Sequence, residues 1–301
     1  MKWVYILVTF LFYSCRSHTF DSNNFPEYLT HFAGIPGPVF SGNPDTNAWD
    51  HHIRERGYIL LEDSIYHLWY TGYHHDGDSM KLGYATSRDG IHWRRCSDRP
   101  LFDSVWTEDM MVIKDGNTYQ MFAEGRNDVA HRLVSTDKIH WTEQGSLRII
   151  SQNADSWIPG PYGTPSVIKE NNTWYLFYER NDSAIWLASS QDLQTFKNVQ
   201  DEPVIKKGPD PYDAHGLAAN QIVKIDGTYY CYYHGTPDAD WSTWNTNVAK
   251  SQDKIHWIKY RGNPILKENK SSGILLFDGD RYRLYSMHAS VHLHYSMPVL
   301  H

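Results

Sequence analysis

A strand–turn–strand pattern repeated five times at a near-constant interval predicts an all-β chain folded as a five-bladed β-propeller, with four antiparallel strands per blade. Three observations carry that reading: the interval itself, a second turn motif in phase with it, and an N-terminal strand that supplies what the last repeat lacks. In each repeat an apolar strand leads through a tight polar turn into a strand rich in Tyr and Phe. The pairs are Ile59-Leu60-Leu61 with Tyr66 to Tyr70, Val112-Ile113 with Tyr119 to Phe122, Val167-Ile168 with Trp174 to Tyr178, Ile222-Val223 with Tyr229 to Tyr233, and Leu275-Leu276 with Tyr282 to Tyr285. Anchored on Tyr66, Tyr119, Trp174, Tyr229 and Tyr282, successive repeats are 53, 55, 55 and 53 residues apart, the regularity expected of units that bury their faces on one another.

A third strand follows each hairpin and ends in a recurring turn: Ser87-Arg88-Asp89-Gly90-Ile91-His92-Trp93, Ser135-Thr136-Asp137-Lys138-Ile139-His140-Trp141, Ser190-Gln191-Asp192 to Phe196, and Ser251-Gln252-Asp253-Lys254-Ile255-His256-Trp257. Its Ser and Asp oxygens can accept from turn amides while the aromatic ring packs over the blade, so the motif is structural. A fourth strand is expected at Pro100-Leu101-Phe102, Arg148-Ile149-Ile150, Pro203-Val204-Ile205 and Pro264-Ile265-Leu266. The fifth unit stops at Leu300-His301 before any such strand, and Pro38-Val39-Phe40 has the missing pattern. The N-terminal strand is therefore expected to complete the last blade and close the ring, making residues 32–301 one domain.

Hydrophobic residues make up 41% and charged residues 21% of the 301, a balance that excludes disorder, collagen and coiled coil. Lys plus Arg number 28 against 35 Asp plus Glu, and the net charge of -7 leaves no electrostatic footprint for nucleic acid. Lys2 and the apolar run Trp3 to Tyr13 are too short to span a bilayer but suit an export signal, so residues 1–17 are expected to stand outside the fold. Leu11-Phe12-Tyr13-Ser14-Cys15 resembles a loose bacterial lipobox. The expected location is periplasmic or at the cell surface, either after simple secretion or with membrane attachment through an acylated Cys15. Of the other cysteines, Cys231 lies in an apolar strand pattern and reads as a small buried thiol; with Cys96 it forms no metal-type spacing. Neither a metal site nor a redox cofactor is expected.

Because the first and second strands of a blade form a hairpin, functional side chains should cluster just before each first strand and just after each second strand. Eleven and ten residues ahead of the anchors stand Glu55-Arg56, Glu108-Asp109, Gly163-Thr164, Ala218-Ala219 and Ser271-Ser272; five residues after them stand Thr71, Glu124, Glu179, His234 and Met287, with Arg126 and Arg180 close behind. Trp49, Trp106, Trp157 and His215 flank the same mouth. Paired carboxylates over an aromatic-lined pocket suit glycosidic bond cleavage, where one protonates the leaving oxygen and another activates water or attacks the anomeric carbon. The candidate catalytic groups are Glu55, Asp109, Glu179, Glu124 and Asp50. Candidate substrate-binding groups are Arg56, Glu108, Trp49, Trp106, Arg126, Arg180, Thr164, His215 and His234. Asp50, Asp103 and Asp213 each sit sixteen residues before an anchor, a regularity that also suits loop bracing.

The fivefold repeat, the stretch Leu82-Gly83-Tyr84-Ala85-Thr86-Ser87-Arg88-Asp89-Gly90-Ile91-His92-Trp93 and the carboxylate slots resemble the five-bladed propeller glycoside hydrolases, the superfamily that includes families 32, 43, 68, 117 and 130. The resemblance implies a carbohydrate substrate, with water as co-substrate and exo-acting removal of a terminal sugar. It implies three acids at the starts of inner strands: Glu55 matches the base or nucleophile, Asp109 the orienting acid, and Gly163-Thr164 stands where a general-acid Glu is expected. The proton donor would then come from Glu124, Glu179 or His215, or the chain would be a propeller that only binds glycans. A phosphorylase like those of family 130 would need a phosphate cradle, for which Arg54, Arg56, Arg126 and Arg180 are the candidates. The fold family also admits a structural Ca²⁺ near the channel, although the sequence has no dedicated oxygen-ligand loop.

Overall fold

The computed structural model describes residues 24–299; the expected export segment and Cys15 lie outside them. The chain is all-β and propeller-like. Its described strands fall into five sheets, numbered 1 to 5 in chain order by their inner strands His52–Glu62, Glu108–Asp115, Gly163–Glu170, Gly216–Ile225 and Ile274–Phe277. Each inner strand pairs antiparallel with the aromatic-rich second strand: Ile65–Tyr73, Thr118–Glu124, Thr173–Glu179, Thr228–Thr236 and Arg281–Met287. Three of these hairpins turn on two residues with positive φ at both, Asp63-Ser64, Asn171-Asn172 and Asp226-Gly227, the primed turn whose twist matches that of the strands. Inner strands of successive sheets lie side by side, 1 on 2, 2 on 3, 3 on 4 and 4 on 5, and the inner strand of sheet 5 lies against that of sheet 1.

The aromatic residues fill the space between sheets. Second strands are buried on both faces, as in Ile65–Tyr73, where Tyr66 to Gly72 are all covered. The turn aromatics pack on the preceding sheet: Trp141 of sheet 2 on Trp69 of sheet 1 (ring centroids 6.1 Å), Phe196 on Phe122 (6.4 Å), Trp257 on Phe177 (5.9 Å), and Trp93 of sheet 1 on Tyr285 of sheet 5 (6.5 Å). The turns themselves are built as their residue types require. Asp89 Oδ1 accepts from the amides of Ile91 and His92, Ser87 Oγ accepts from Gly90, and the bonds recur around Asp137, Asp192 and Asp253. Ion clusters join neighbours at the other end of the inner strands. Glu62 accepts from Lys114, Lys138 and Tyr119, and Glu170 accepts from Lys224, Lys254 and Tyr229.

The outer edge departs from the expected fourth strands except in sheet 3, where Ile205–Lys206 pairs antiparallel with Ala184 and Ile185 of the third strand. In sheets 1, 2 and 4 the strand next to the third is Arg94–Arg95, Thr142–Ser146 and Trp257–Lys259. Phe102 and Leu266 make only isolated bridges to Leu82 and Thr246, and Arg148–Ile150 joins sheet 3 as a parallel partner of Thr195 to Lys197. A proline ahead of three of the expected segments cannot donate to a ladder, and short edges resist edge-to-edge pairing. On sheet 5, Ala33–Gly34 and Phe40–Ser41 both pair with Ser290–Pro298. Packing begins ahead of residue 32: Leu29 is buried, Tyr28 stacks on Tyr282 at 5.7 Å, and Tyr232 donates its hydroxyl to the Leu29 carbonyl at 2.8 Å. Cys231 is buried and Cys96 exposed, and neither is in a disulfide.

Arg56, expected to bind substrate, is instead wholly buried at the centre of the sheets. Its Nη1 donates to the carbonyls of Ala219 (3.1 Å) and Asn220 (2.6 Å), and its Nη2 donates to those of Pro165 (2.7 Å) and Asp109. The cause is local. The bulge in the inner strand of sheet 1 holds two extra residues between Arg54 and Tyr58, against one extra between Glu108 and Met111 in sheet 2, and the added residue turns Arg56 toward the axis. Replacing Arg56 with Met leaves four buried carbonyl groups without a donor, so the variant is expected to lose about 3 kcal/mol or more of stability, read as a fall in chemical-denaturation midpoint.

Candidate active site

Four of the inner strands' entry positions carry a non-glycine residue in the left-handed region: Glu55 (φ 55°), Asp109 (φ 45°), Thr164 (φ 43°) and Ser272 (φ 55°). In the first three the residue lies in a β-bulge, a device that re-aims a side chain, and strain of this kind persists only where surrounding structure holds it. All four line one cavity of about 370 Å³ at the end of the sheets where inner strands begin and second strands finish. Around it stand Arg54, Glu108, Glu124, Asp128, Glu179, Asp182, His234, Trp241, Trp244, Ser271 and His288.

The carboxylates fall into two groups. Glu55, a quarter exposed, accepts from Arg54 at 2.8 and 3.1 Å, and its other oxygen is 3.8 Å from His288 Nδ1. Glu108 accepts from the Trp106 indole at 2.6 Å and lies 3.3 Å from Arg54 Nε. Both thus share one guanidinium. Glu124 and Glu179 are buried without a cation. Glu124 accepts from the Thr164 amide at 2.7 Å, and Glu179 accepts from the Asp182 amide at 2.5 Å. Their carboxyl oxygens reach the same point, 2.4 and 2.3 Å from the position a Cβ on Gly163 would take. The space that a side chain at residue 163 would occupy therefore holds two carboxyls from the neighbouring second strands.

Burial sets their protonation. Burial, and then the charge of Asp182, pushes Glu179 up to about 8; burial, then Asp109 and Glu108, pushes Glu124 well above the usual carboxylate range. Asp109, which accepts from the Arg56 amide at 3.2 Å, is pushed up to about 7 by burial and by Glu55, against the pull of Arg56. Glu108 is also raised, because burial outweighs Arg54.

Other expected site residues lie elsewhere. Asp50 is buried outside the cavity, where it accepts from Tyr70 Oη (2.7 Å), Arg95 Nε (2.6 Å) and Asn43 Nδ2 (3.2 Å). Asp213 holds Tyr233 and Lys259 in the same way, so the sixteen-residue regularity is loop bracing at these two positions; Asp103 is exposed. Trp49 stacks on Tyr70 at 6.1 Å, and Trp157 is exposed away from the cavity. Trp106 holds Glu108 without lining the cavity. Arg126 lies over the outer side of that indole at 5.0 Å, Arg180 points to the Pro159 carbonyl, and His215 is exposed off the site. In Arg126-Asn127-Asp128 and Arg180-Asn181-Asp182 the Asn-Asp pair has positive φ throughout and reverses the chain. The arginines therefore stand outside and the aspartates line the cavity. The repeated Arg-Asn-Asp was the available signal for Asp128 and Asp182. His234 lines the cavity, within 2.9 Å of Asn220 and 3.6 Å of Asp182. Trp241 and Trp244 arrive on the long 237–244 connection of sheet 4, and no period marks them.

Among known proteins, the chain is 26% identical over 243 residues to a 1,2-beta-oligomannan phosphorylase of Thermoanaerobacter sp. (strain X514), across 73% of this chain and 77% of that one. A glycosyl hydrolase from Bacteroides ovatus superposes with a TM-score of 0.71 at 16% identity, covering 92% of this chain and 99% of that one. A β-1,2-mannobiose phosphorylase from Listeria innocua does so with a TM-score of 0.66 at 15% identity, covering 88% and 95%. No family model matches the chain. The resemblance stated from the sequence holds at superfamily level: the chain has the fold of the propeller glycosidases and mannoside phosphorylases.

The raised acids make stability depend on pH with a definite sign. Between the ordinary Glu value of 4.5 and about 8 the unfolded chain has released a proton that folded Glu179 retains, so stability falls as pH rises through that window. Glu179→Gln is expected to flatten that fall by an amount on the order of a few kcal/mol, checked by denaturation of both proteins at pH 5 and pH 9.

Proposed function

We propose that the protein is an exported, exo-acting glycoside hydrolase, and that its five sheets are the blades of one closed ring. Support for the ring comes from the contact of sheet 5 with sheet 1 through Tyr285 and Trp93, and from the pairing of residues 33–34 and 40–41 with the last strand. Export rests on Lys2 and the apolar run Trp3 to Tyr13. A cavity of about 370 Å³ suits a chain end better than an internal stretch of a polysaccharide.

The observation that carries the catalytic reading is the meeting of Glu124 and Glu179 over Gly163. Two buried carboxyls this close hold a proton near neutral pH, as a general acid must. Glu179, which reaches about 8, is the proposed donor to the leaving oxygen, and burial with the charges of Asp182, Asp128 and Asp109 keeps it protonated. Glu55, oriented by Arg54, is the base or nucleophile, and Asp109 stabilises charge at the reacting sugar. Hydrolysis is favoured over phosphorolysis because a phosphate dianion would enter a cavity lined by seven carboxyl groups. Among the described residues Arg54 is the one arginine that lines it, and it is already paired with Glu55 and Glu108. Arg56, Arg126 and Arg180 are turned away.

Incubation with β-1,2-manno-oligosaccharides is expected to release free sugar at the same rate with and without inorganic phosphate. Strict phosphate dependence with sugar 1-phosphate as product would overturn the hydrolase assignment. Glu179→Gln and Glu55→Gln are each expected to lower kcat by about a hundredfold or more, whereas Asp50→Asn lowers the melting temperature and largely spares kcat.

A further inference from the structure

We infer that the site takes an uncharged oligosaccharide and that Trp241 and Trp244 form the platform for the sugar next to the terminal ring; this deepens the hydrolase reading and rests on it. The cavity is two-sided. Glu55, Glu108, Asp109, Glu124, Asp128, Glu179 and Asp182 all come from sheets 1 to 3, whereas sheet 4 supplies the two indoles and sheet 5 the small residues Ser271 and Ser272. A sugar laid on the sheet 4 side presents its polar edge to the acids.

The indoles are held in place without being covered. Trp241 is 44% exposed, in contrast to Trp69 at 0% and Trp141 at 8%. It sits edge-to-face on Trp244 at 5.8 Å, and Trp244 in turn contacts the His234 ring at 4.9 Å. The connection that carries them is stitched by its own side chains: Asp238 accepts from Ser242 Oγ (3.1 Å) and Thr243 Oγ1, and the Trp241 amide donates to the Asp238 carbonyl (3.1 Å). Asn269 Oδ1 then accepts from the Trp244 amide at 2.8 Å, tying the loop to the segment before sheet 5. Trp241 has φ 57°, a conformation that a bulky residue adopts only where the surroundings impose it. A strained, exposed indole at the lip of a polar cavity is accounted for by a ligand with an apolar face, and the C–H face of a pyranose is such a surface.

Charge narrows the ligand further. With Glu124 and Glu179 holding protons, five other carboxyls still face Arg54, His234 and His288, and Arg54 is already shared by two of them. A uronate or a phosphorylated sugar would bring another anion into that field with no free guanidinium to receive it. Neutral sugars meet no such penalty.

The test compares wild type with Trp241→Ala and Trp244→Ala on neutral oligosaccharides, together with inhibition by the monosaccharide released. The expected result is a KM raised about tenfold with kcat within about twofold, while the inhibition constant of the monosaccharide stays unchanged. Oligosaccharides carrying a uronate at the stacked position are expected to be turned over at least about tenfold less efficiently by wild type. If the protein cleaves its substrate but both variants match wild type, or monosaccharide binding weakens in parallel, the platform is wrong and the hydrolase reading stands. Equal turnover of uronates would overturn the charge argument. If nothing is cleaved, calorimetric titration with the same oligosaccharides decides: binding lost in Trp241→Ala keeps the platform, and no binding by wild type ends both readings.

Discussion

Everything at the centre of this molecule depends on one buried guanidinium. Bulges interrupt the ladders of the inner strands just where they converge, and the carbonyls of Asp109, Pro165, Ala219 and Asn220 turn to the axis to meet Arg56. Such groups must be satisfied. Arg56 does so for sheets 2, 3 and 4 from its place on sheet 1, a task for which a planar group with five donors fits and an ammonium does not. Burial works against its charge, while Asp109 and Glu124 favour it. The same cation therefore joins four sheets and offsets the charge of Asp109 and Glu124.

Glu124 and Glu179 give that cavity its chemistry through what they lack. Glu62 and Glu170 are partly buried Glu residues at the far ends of the inner strands of sheets 1 and 3. Burial pushes them upward too, but hydrogen bonds from two lysines and a tyrosine each bring them down to about 2. Glu124 and Glu179 receive a backbone amide apiece and no cation, so burial prevails. One residue type is thus a permanent anion at one end of the sheets and a proton store at the other. Gly163 makes the second case physically admissible, because any side chain there would collide with both carboxyls.

Much of this was legible in the amino-acid order. The anchors from Tyr66 to Tyr282, the Ser-x-Asp turns and the slots holding Glu55, Asp109, Thr164, Glu124, Glu179 and His234 follow from a repeat, and a repeat carries geometry from one unit to the next. What stayed hidden depends on single residues that break the period. The extra bulge residue beside Arg56 reverses its direction, the Asn-Asp turns exchange Arg126 and Arg180 for Asp128 and Asp182, and a long connection brings in Trp241 and Trp244 where Trp49 and Trp157 had seemed better placed. Asp50 misled in the opposite sense: a carboxylate near the mouth looks chemical until Tyr70 and Arg95 are seen to saturate it.

Those departures coincide with the cavity for a physical reason. A ring of similar sheets offers equivalent positions around an axis, and equivalence alone would surround a ligand with like groups. Chemistry on a glycoside needs unlike ones: an acid that keeps its proton, a carboxylate that has lost it, and an apolar surface to hold the ring. Sheets 1, 2 and 3 differ in whether Arg54, Arg56 or no cation lies beside the carboxyl, and sheets 4 and 5 place Ala218-Ala219 and Ser271-Ser272 in the slots where sheets 1 and 2 have acids. Asymmetry in the lining is thus what sets this pocket apart from its symmetric scaffold: the carboxyls come from sheets 1 to 3 and the indoles from sheet 4, with Trp244 beside Asp182 of sheet 3.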